Sequence, residues 1–314
     1  MSNKQSIQAI FSADAIKLLI RIVVTLLVFF FILRSIGTQK VWEALKQLKL
    51  DLLVMAIVIQ FGSTTLSAYR WQLIMRNLGF GQSFSFYWCS YFKAMFFNQG
   101  LPTSIGGDAL RVLDVAAQGF RKRDALYGVI LDRVSGLATL VFLNLLAYLF
   151  NPQLLPIQIY YLTLILVIAG LVVLIGIASL EKISWLDRYP RLAPLKRIPA
   201  RLQQAFRFNR MLLLVSSLLI PLLAILVFFV IGRALGLQYE LLVYFIIVPP
   251  AIYLTIIPIS LAGWGVREGA LVGLFSLIGA DKSIVLTMSI LYGFTLIIIS
   301  LPGLIVYLKG RRMI

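Results

Sequence analysis

Six runs of the chain are predominantly apolar for 18 residues or more, and no other feature narrows the fold as sharply. They cover residues 16–33, 52–69, 126–150, 157–180, 211–231 and 284–308. A helix needs about 20 such residues to cross the roughly 30 Å hydrocarbon core, and in lipid each backbone N–H and C=O must be satisfied within the segment. With 61% hydrophobic and only 13% charged residues, the expected fold class is an all-α polytopic membrane protein with six full transmembrane helices.

Two further apolar segments are too short to cross. Residues 83–97 would rise about 22 Å as a helix, and residues 241–257 are interrupted at Pro249-Pro250 and again at Pro258. Each runs into the same pattern, Pro102-Thr-Ser-Ile-Gly-Gly-Asp-Ala-Leu-Arg111 and Pro258-Ile-Ser-Leu-Ala-Gly-Trp-Gly-Val-Arg267. Both read P-x-S-x-[GA]-G-x-x-[LV]-R, and both are followed by a helical arm, 107–118 and 266–278. A helix breaker, a small-residue loop and an arginine thus occur twice, which predicts two re-entrant helical hairpins and, in a membrane chain, a central binding site.

The net charge of +17 could point to nucleic acid, but no basic stripe with interleaved aromatics stands apart from the apolar runs. Positive-inside loops account for it better, so no nucleic-acid partner is expected. With no histidine and a single cysteine, Cys89, a His-based metal site, a Ser-His-Asp triad and an internal disulfide are excluded; neither catalytic residues, metal nor cofactor are expected. No cleavable signal peptide is read in residues 1–15.

Thr38 is a candidate N-cap for an interfacial helix over 41–48, and the basic stretch 182–210 reads as a second, cytoplasmic one suited to anionic headgroups. With that stretch inside, both termini are cytoplasmic. Of the 29 Lys/Arg, 18 then fall inside, 6 outside and 5 within membrane segments, obeying the positive-inside rule. Three full spans separate the two hairpins, so they enter from opposite faces. The unit of span, interfacial helix, span, hairpin and span occurs twice, giving an inverted-topology repeat over 16–150 and 157–308 with its loops meeting near the midplane.

Such loops suit an anion. A returning helix aims free N–H groups and its positive dipole end at the gap. Gly106, Gly107 and Gly263 permit close approach, Ser104 and Ser260 supply hydroxyls, and Arg111 and Arg267 offer forked guanidiniums for phosphate. The structural alternative stands beside this: Asp108 is placed to cap a helix and to neutralise Arg111 three residues on, and Glu268 or Asp132 to balance Arg267. Asp132 and Arg133 are adjacent inside a span and point about 100° apart, so one of them faces the cavity. Tyr127, Tyr253 and Tyr292 are further candidate lining residues. Gln60, Ser63, Thr64 and Thr65 read as helix packing, and Asp114 as an interface charge near Arg121.

The stretch from Asn98 to Gly136, with its Gly-Gly-Asp108-Ala-Leu-Arg111 and Asp132-Arg133, together with the second motif through Arg267-Glu268, resembles the lysylphosphatidylglycerol synthase transmembrane family. The resemblance covers essentially the whole chain. It implies a bacterial inner-membrane flippase that moves an anionic phospholipid, a modified phospholipid or an isoprenoid-phosphate-linked sugar between leaflets. A membrane glycosyltransferase or lipid-modifying enzyme is the implied partner. The synthase carries an aminoacyl-transferase domain after its membrane part, whereas this chain ends at Ile314, so a stand-alone member without lysyl transfer is expected. The residues also leave open a membrane enzyme acting on a lipid phosphate through Asp108, Asp132 or Glu268, and a non-catalytic partner of a glycosyltransferase.

Overall fold

The computed structural model describes residues 38–100, 105–180, 196–256 and 260–310, together with Val23, Phe30 and Arg34. The expected first span, 16–33, lies outside the described residues apart from Val23 and Phe30, and so do the loop tips 101–104 and 257–259 and most of the basic stretch. The described chain is all-helical: α1 (Thr38–Lys46), α2 (Leu50–Asn77), α3 (Phe84–Gly100), α4 (Ile105–Ala117), α5 (Lys122–Phe150), α6 (Ile157–Ser179), α7 (Ile198–Ala205), α8 (Arg210–Ala234), α9 (Leu241–Ile256), α10 (Val266–Ser276) and α11 (Lys282–Gly310), with a 3₁₀ turn at Leu261–Gly263 before α10. Among the described helices, α2, α5, α6, α8 and α11 are long and apolar enough to cross a membrane. The protein is a multi-pass membrane protein.

Packing centres on α2 and α8, which make the most extensive helix contact among the described residues. Around them contacts recur in matched sets. The pair α3 and α4 packs together as do α9 and α10; α4 lies on α5 as α10 lies on α11; α3 packs on α11 as α9 packs on α5. Helix ends match too. Beyond α2, Gly79 (φ 96°) lets the Phe80 N–H reach the Met75 carbonyl, and beyond α8, Gly236 (φ 87°) lets Leu237 reach Gly232. This is the left-handed glycine stop that ends a helix while satisfying its last carbonyls.

The prolines of α9 do not break it, contrary to the sequence expectation. Proline at 249 and 250 withdraws the N–H groups that would bind the carbonyls of Phe245 and Ile246 four residues back. The Asn144 side chain of α5 donates to both carbonyls, at 2.9 and 3.0 Å. Thr163 of α6 in turn donates to the Asn144 side-chain oxygen at 3.1 Å. A fully buried amide thereby replaces the missing donors, and the helix continues to Ile256. Neighbouring side chains are the usual means by which membrane helices tolerate proline.

Apolar side chains form two buried clusters, one around Trp71 of α2 with Tyr87 and Val112 of the first short-helix pair, and one around Phe228 of α8 with Tyr244 and Phe275 of the second. The α6 helix instead exposes Ile165, Ile168, Leu171, Val172 and Ile175, as a helix does when lipid is its solvent.

Candidate functional site

On α2 the polar residues Gln60, Ser63, Thr64, Ser67 and Arg70 recur every three or four positions, which sets them on one face of the helix. All five are buried. At the end of that stripe Arg70 donates from Nε to Asp132 Oδ1 and from Nη2 to the Asp132 carbonyl, both at 2.9 Å. The second carboxylate oxygen of Asp132 accepts from Arg111 Nη2 at 2.8 Å. Arg111 Nη1 reaches Asp108 Oδ1 at 3.1 Å, and Asp108 receives a forked pair from Arg133, at 2.8 and 3.0 Å. The result is an alternating chain of charges, Arg70, Asp132, Arg111, Asp108, Arg133, drawn from α2, α4 and α5.

Arg111 is fixed on its faces as well as its edges, with its guanidinium 4.1 Å from the Trp71 ring centroid and 4.6 Å from that of Tyr91. These are cation–π distances. Gly136 leaves room for Arg70, whose Nη2 lies 3.2 Å from where a Cβ would stand. Three guanidiniums share two carboxylates, so the chain carries one net positive charge. Inside a bilayer each such charge is costly unless paired or wetted.

That excess sits at an opening. A cavity of about 230 Å³ is bounded by Gln60, Ser63, Thr64 and Ser67 of α2, Tyr91, Asn98 and Gln99 of α3, Asp108 and Arg111 of α4, Arg133 of α5, and Ile220 and Ala224 of α8. Arg111 is 1% exposed, whereas the Arg133 side chain is 49% exposed. The terminal guanidinium of the chain is therefore the one that a ligand can reach, and Asp108 is its present partner.

The second motif is built differently. Arg267 is 5% exposed and donates to Glu268 Oε1 from Nε at 3.1 Å and from Nη2 at 2.5 Å. Ser289 of α11 joins them, donating to the same oxygen at 2.9 Å. The other Glu268 oxygen accepts the Gly265 N–H at 2.6 Å, so a carboxylate of the chain itself caps the start of α10. Trp264 and Tyr292 flank the guanidinium at 4.9 and 5.3 Å, in a space that Gly293 keeps open. At the start of α4 the matching role falls to a neutral group: Asn98 Oδ1 accepts the Gly107 N–H at 2.8 Å. The anion-favouring helix end is thus occupied by an internal carboxylate in the second half and by an amide in the first.

Of the residues singled out in the sequence, Asp108, Arg111, Asp132 and Arg133 come together in one network. Gly107 packs against α3, where an added Cβ would stand 2.2 Å from the Ala94 carbonyl oxygen, and Gly106 lies beside it in the first turn of α4. Arg267 and Glu268 form their own pair outside the cavity. Gly263 (φ 80°) lies in the turn before α10 against Thr255. Ser260 is buried, with no hydrogen-bond partner for its hydroxyl among the described residues. Ser104 lies outside the described residues. Tyr127, Tyr253 and Tyr292 do not line the cavity.

Arg70, Trp71, Tyr91 and Asn98 escaped the sequence reading. In the sequence the charge of Arg70 closes the apolar run 52–69, yet α2 continues to Asn77 because Asp132 neutralises that charge. The usable signal was the polar stripe with Arg70 as its last member. Asp114 pairs with Lys93 and Ser90 of α3, not with the Arg121 cluster.

No curated protein matches the chain. A family model of the lysylphosphatidylglycerol synthase TM region matches residues 18–303, most of its length, and the chain belongs to that family.

Proposed function

We propose that the protein moves an anionic phospholipid, or an isoprenoid-phosphate-linked glycan, between leaflets of the bacterial inner membrane, as a flippase or scramblase and without chemical change to the lipid. The observation that carries this reading is the singly positive charge chain whose half-exposed end, Arg133, borders a polar cavity among membrane helices. One phosphodiester brings the one negative charge that the chain lacks. Arg133 holds Asp108 by two parallel bonds, the geometry in which a guanidinium also takes two phosphate oxygens. The phosphate replaces Asp108 as the partner of Arg133, and Asp108 keeps Arg111. The acyl chains stay in lipid while the headgroup passes.

On this reading α3–α4 and α9–α10 are re-entrant hairpins of an inverted repeat over 16–150 and 157–308, with 16–33 as the sixth span and both termini cytoplasmic. The matched helix contacts and matched glycine stops support it. Arg111 supports the phosphate from the cavity wall, while Arg267, locked to Glu268, braces the second hairpin. A membrane glycosyltransferase or lipid-modifying enzyme that supplies or consumes the lipid is the partner the reading calls for. The test is reconstitution in liposomes with labelled anionic lipid. Leaflet exchange above protein-free liposomes, with the lipid recovered intact, is expected; recovery of a chemically altered lipid would point to an enzyme instead.

A further inference from the structure

The two ends of the central α2–α8 pair are fastened differently. Where α2 starts, the fastening is a backbone bond, the Lys49 N–H donating to the Ala234 carbonyl at 3.0 Å. Where α8 starts, side chains make it. Asn77, the last residue of α2, donates from Nδ2 to the Ala205 and Phe208 carbonyls at 2.7 and 2.9 Å. Arg201 of α7 meets Asp124 of α5 at 3.3 Å, but both side chains are partly exposed, and such pairs contribute little. The N-cap of α8, Asn209, is in the left-handed region (φ 54°) and makes no side-chain cap. Asn77 is therefore the strongest polar hold on this end.

Further along α8, Pro221 lies inside the helix and withdraws the N–H that would bind the Ser217 carbonyl four residues back. In α9 the Asn144 amide makes good such a loss. At Pro221 the side chain that reaches the turn, Ser63, donates to the Ile220 carbonyl instead, at 3.3 Å, so the helix keeps a weak point where it can bend. Between that point and Asn77, residues 210–220 are also poorly backed. A cavity of about 680 Å³ opens beside them, bordered by Leu213, Leu214 and Ser217 of α8, Ser135 and Thr139 of α5, and Phe206 at the end of α7. Ile220 and Ala224, on either side of Pro221, border the arginine cavity. Ser217 and Ile220 are about one helical turn apart, so the two cavities adjoin along α8. Resting on the transport reading above, we infer that residues 210–220 form a gate, hinged at Pro221 and latched by Asn77, and that the cavity beside Ser217 is the vestibule through which a headgroup reaches Arg133 from the α7 end.

Alkylation of a cysteine placed in the vestibule tests this. The single native cysteine, Cys89, is replaced by serine, and Ser217, 6% exposed, by cysteine; the full chain in lipid nanodiscs is then reacted with N-ethylmaleimide and followed by mass. Adding Asn77→Ala should raise the alkylation rate at least about fivefold, the worth of one of its two hydrogen bonds. Adding Pro221→Ala, which returns an N–H to the carbonyl of residue 217, should lower it about threefold or more. General loosening of the fold would speed alkylation in both, so the opposite signs are the signature, and any other result in either variant would overturn the inference. Leaflet exchange in liposomes should slow in Pro221→Ala by a similar factor. Undiminished exchange there would overturn the gate while leaving the transport reading intact. Absence of exchange by the unaltered protein would sink the transport reading, and the alkylation rates would still decide whether residues 210–220 open.

Discussion

Asp132 is where the charge chain is most exposed to perturbation. Its carboxylate is 1% exposed and accepts from two guanidiniums, Arg70 at 2.9 Å and Arg111 at 2.8 Å. Asp132→Asn keeps the shape but removes the charge and turns an N–H₂ toward one of the arginines. The cluster then holds three positive charges against one negative. A unit charge pair ~4 Å apart is worth about 4 kcal/mol at an effective dielectric of 20, and breaking a buried pair from one side costs about 3–5 kcal/mol because the other charge stays buried. Arg111 retains Asp108 at 3.1 Å, so the loss should fall within that range and not at twice it. Thermal unfolding of the purified protein, followed by tryptophan emission, is a direct assay because Trp71 lies against Arg111. Adding Arg70→Leu restores the original net charge, and the double variant should recover about 2 kcal/mol or more relative to Asp132→Asn alone. Stability of Asp132→Asn within about 1 kcal/mol of the unaltered protein, or strictly additive effects in the pair, would refute the network account.

Asn144→Leu should orphan the Phe245 and Ile246 carbonyls at about 1–3 kcal/mol each; faster amide hydrogen exchange along α9 reports it, and unchanged exchange there would mean the prolines need no external donor. Thr163→Val, which leaves Asn144 in place but unsteadied, should give a smaller change of the same kind. Before α11, the Ser283 hydroxyl, then the backbone N–H groups of Ser283 and Ile284, hold the Asp281 carboxyl below its ordinary range. A depressed carboxylate contributes stability that is present above its unfolded value and lost as pH falls through its folded one. Asp281→Asn, still a competent cap, should therefore flatten the acid side of the stability profile; melting curves collected over that pH range decide it.

The spans were legible because lipid demands long apolar helices, and the described boundaries of α5, α6, α8 and α11 lie within a few residues of the apolar runs. The doubled motif was legible as two breaks at matching positions. What one sequence does not display is which side chains answer a local anomaly from another helix. Asn144 in α5 resembles any lone polar residue until the proline-freed carbonyls of α9 are brought against it. The sequence already sets the two motif arginines among unlike charges, and the fold shows the outcome: Glu268 pairs with one of them while Asp108 and Asp132 draw the other into a larger network. The sequence has one of Asp132 and Arg133 facing the cavity, and the fold makes it Arg133, because Asp132 is held between Arg70 and Arg111 while Arg133 is left half-exposed.

The proposed function has an anionic headgroup cross by engaging Arg133. Its most direct test is leaflet exchange of a labelled anionic phospholipid in liposomes containing either the unaltered protein or Arg133→Gln. Because Arg133 is the exposed end of the chain, the variant should fold and melt close to normally while exchange falls at least about tenfold, as expected when a charge-assisted pair to phosphate is removed. Undiminished exchange in a folded Arg133→Gln protein would contradict the account.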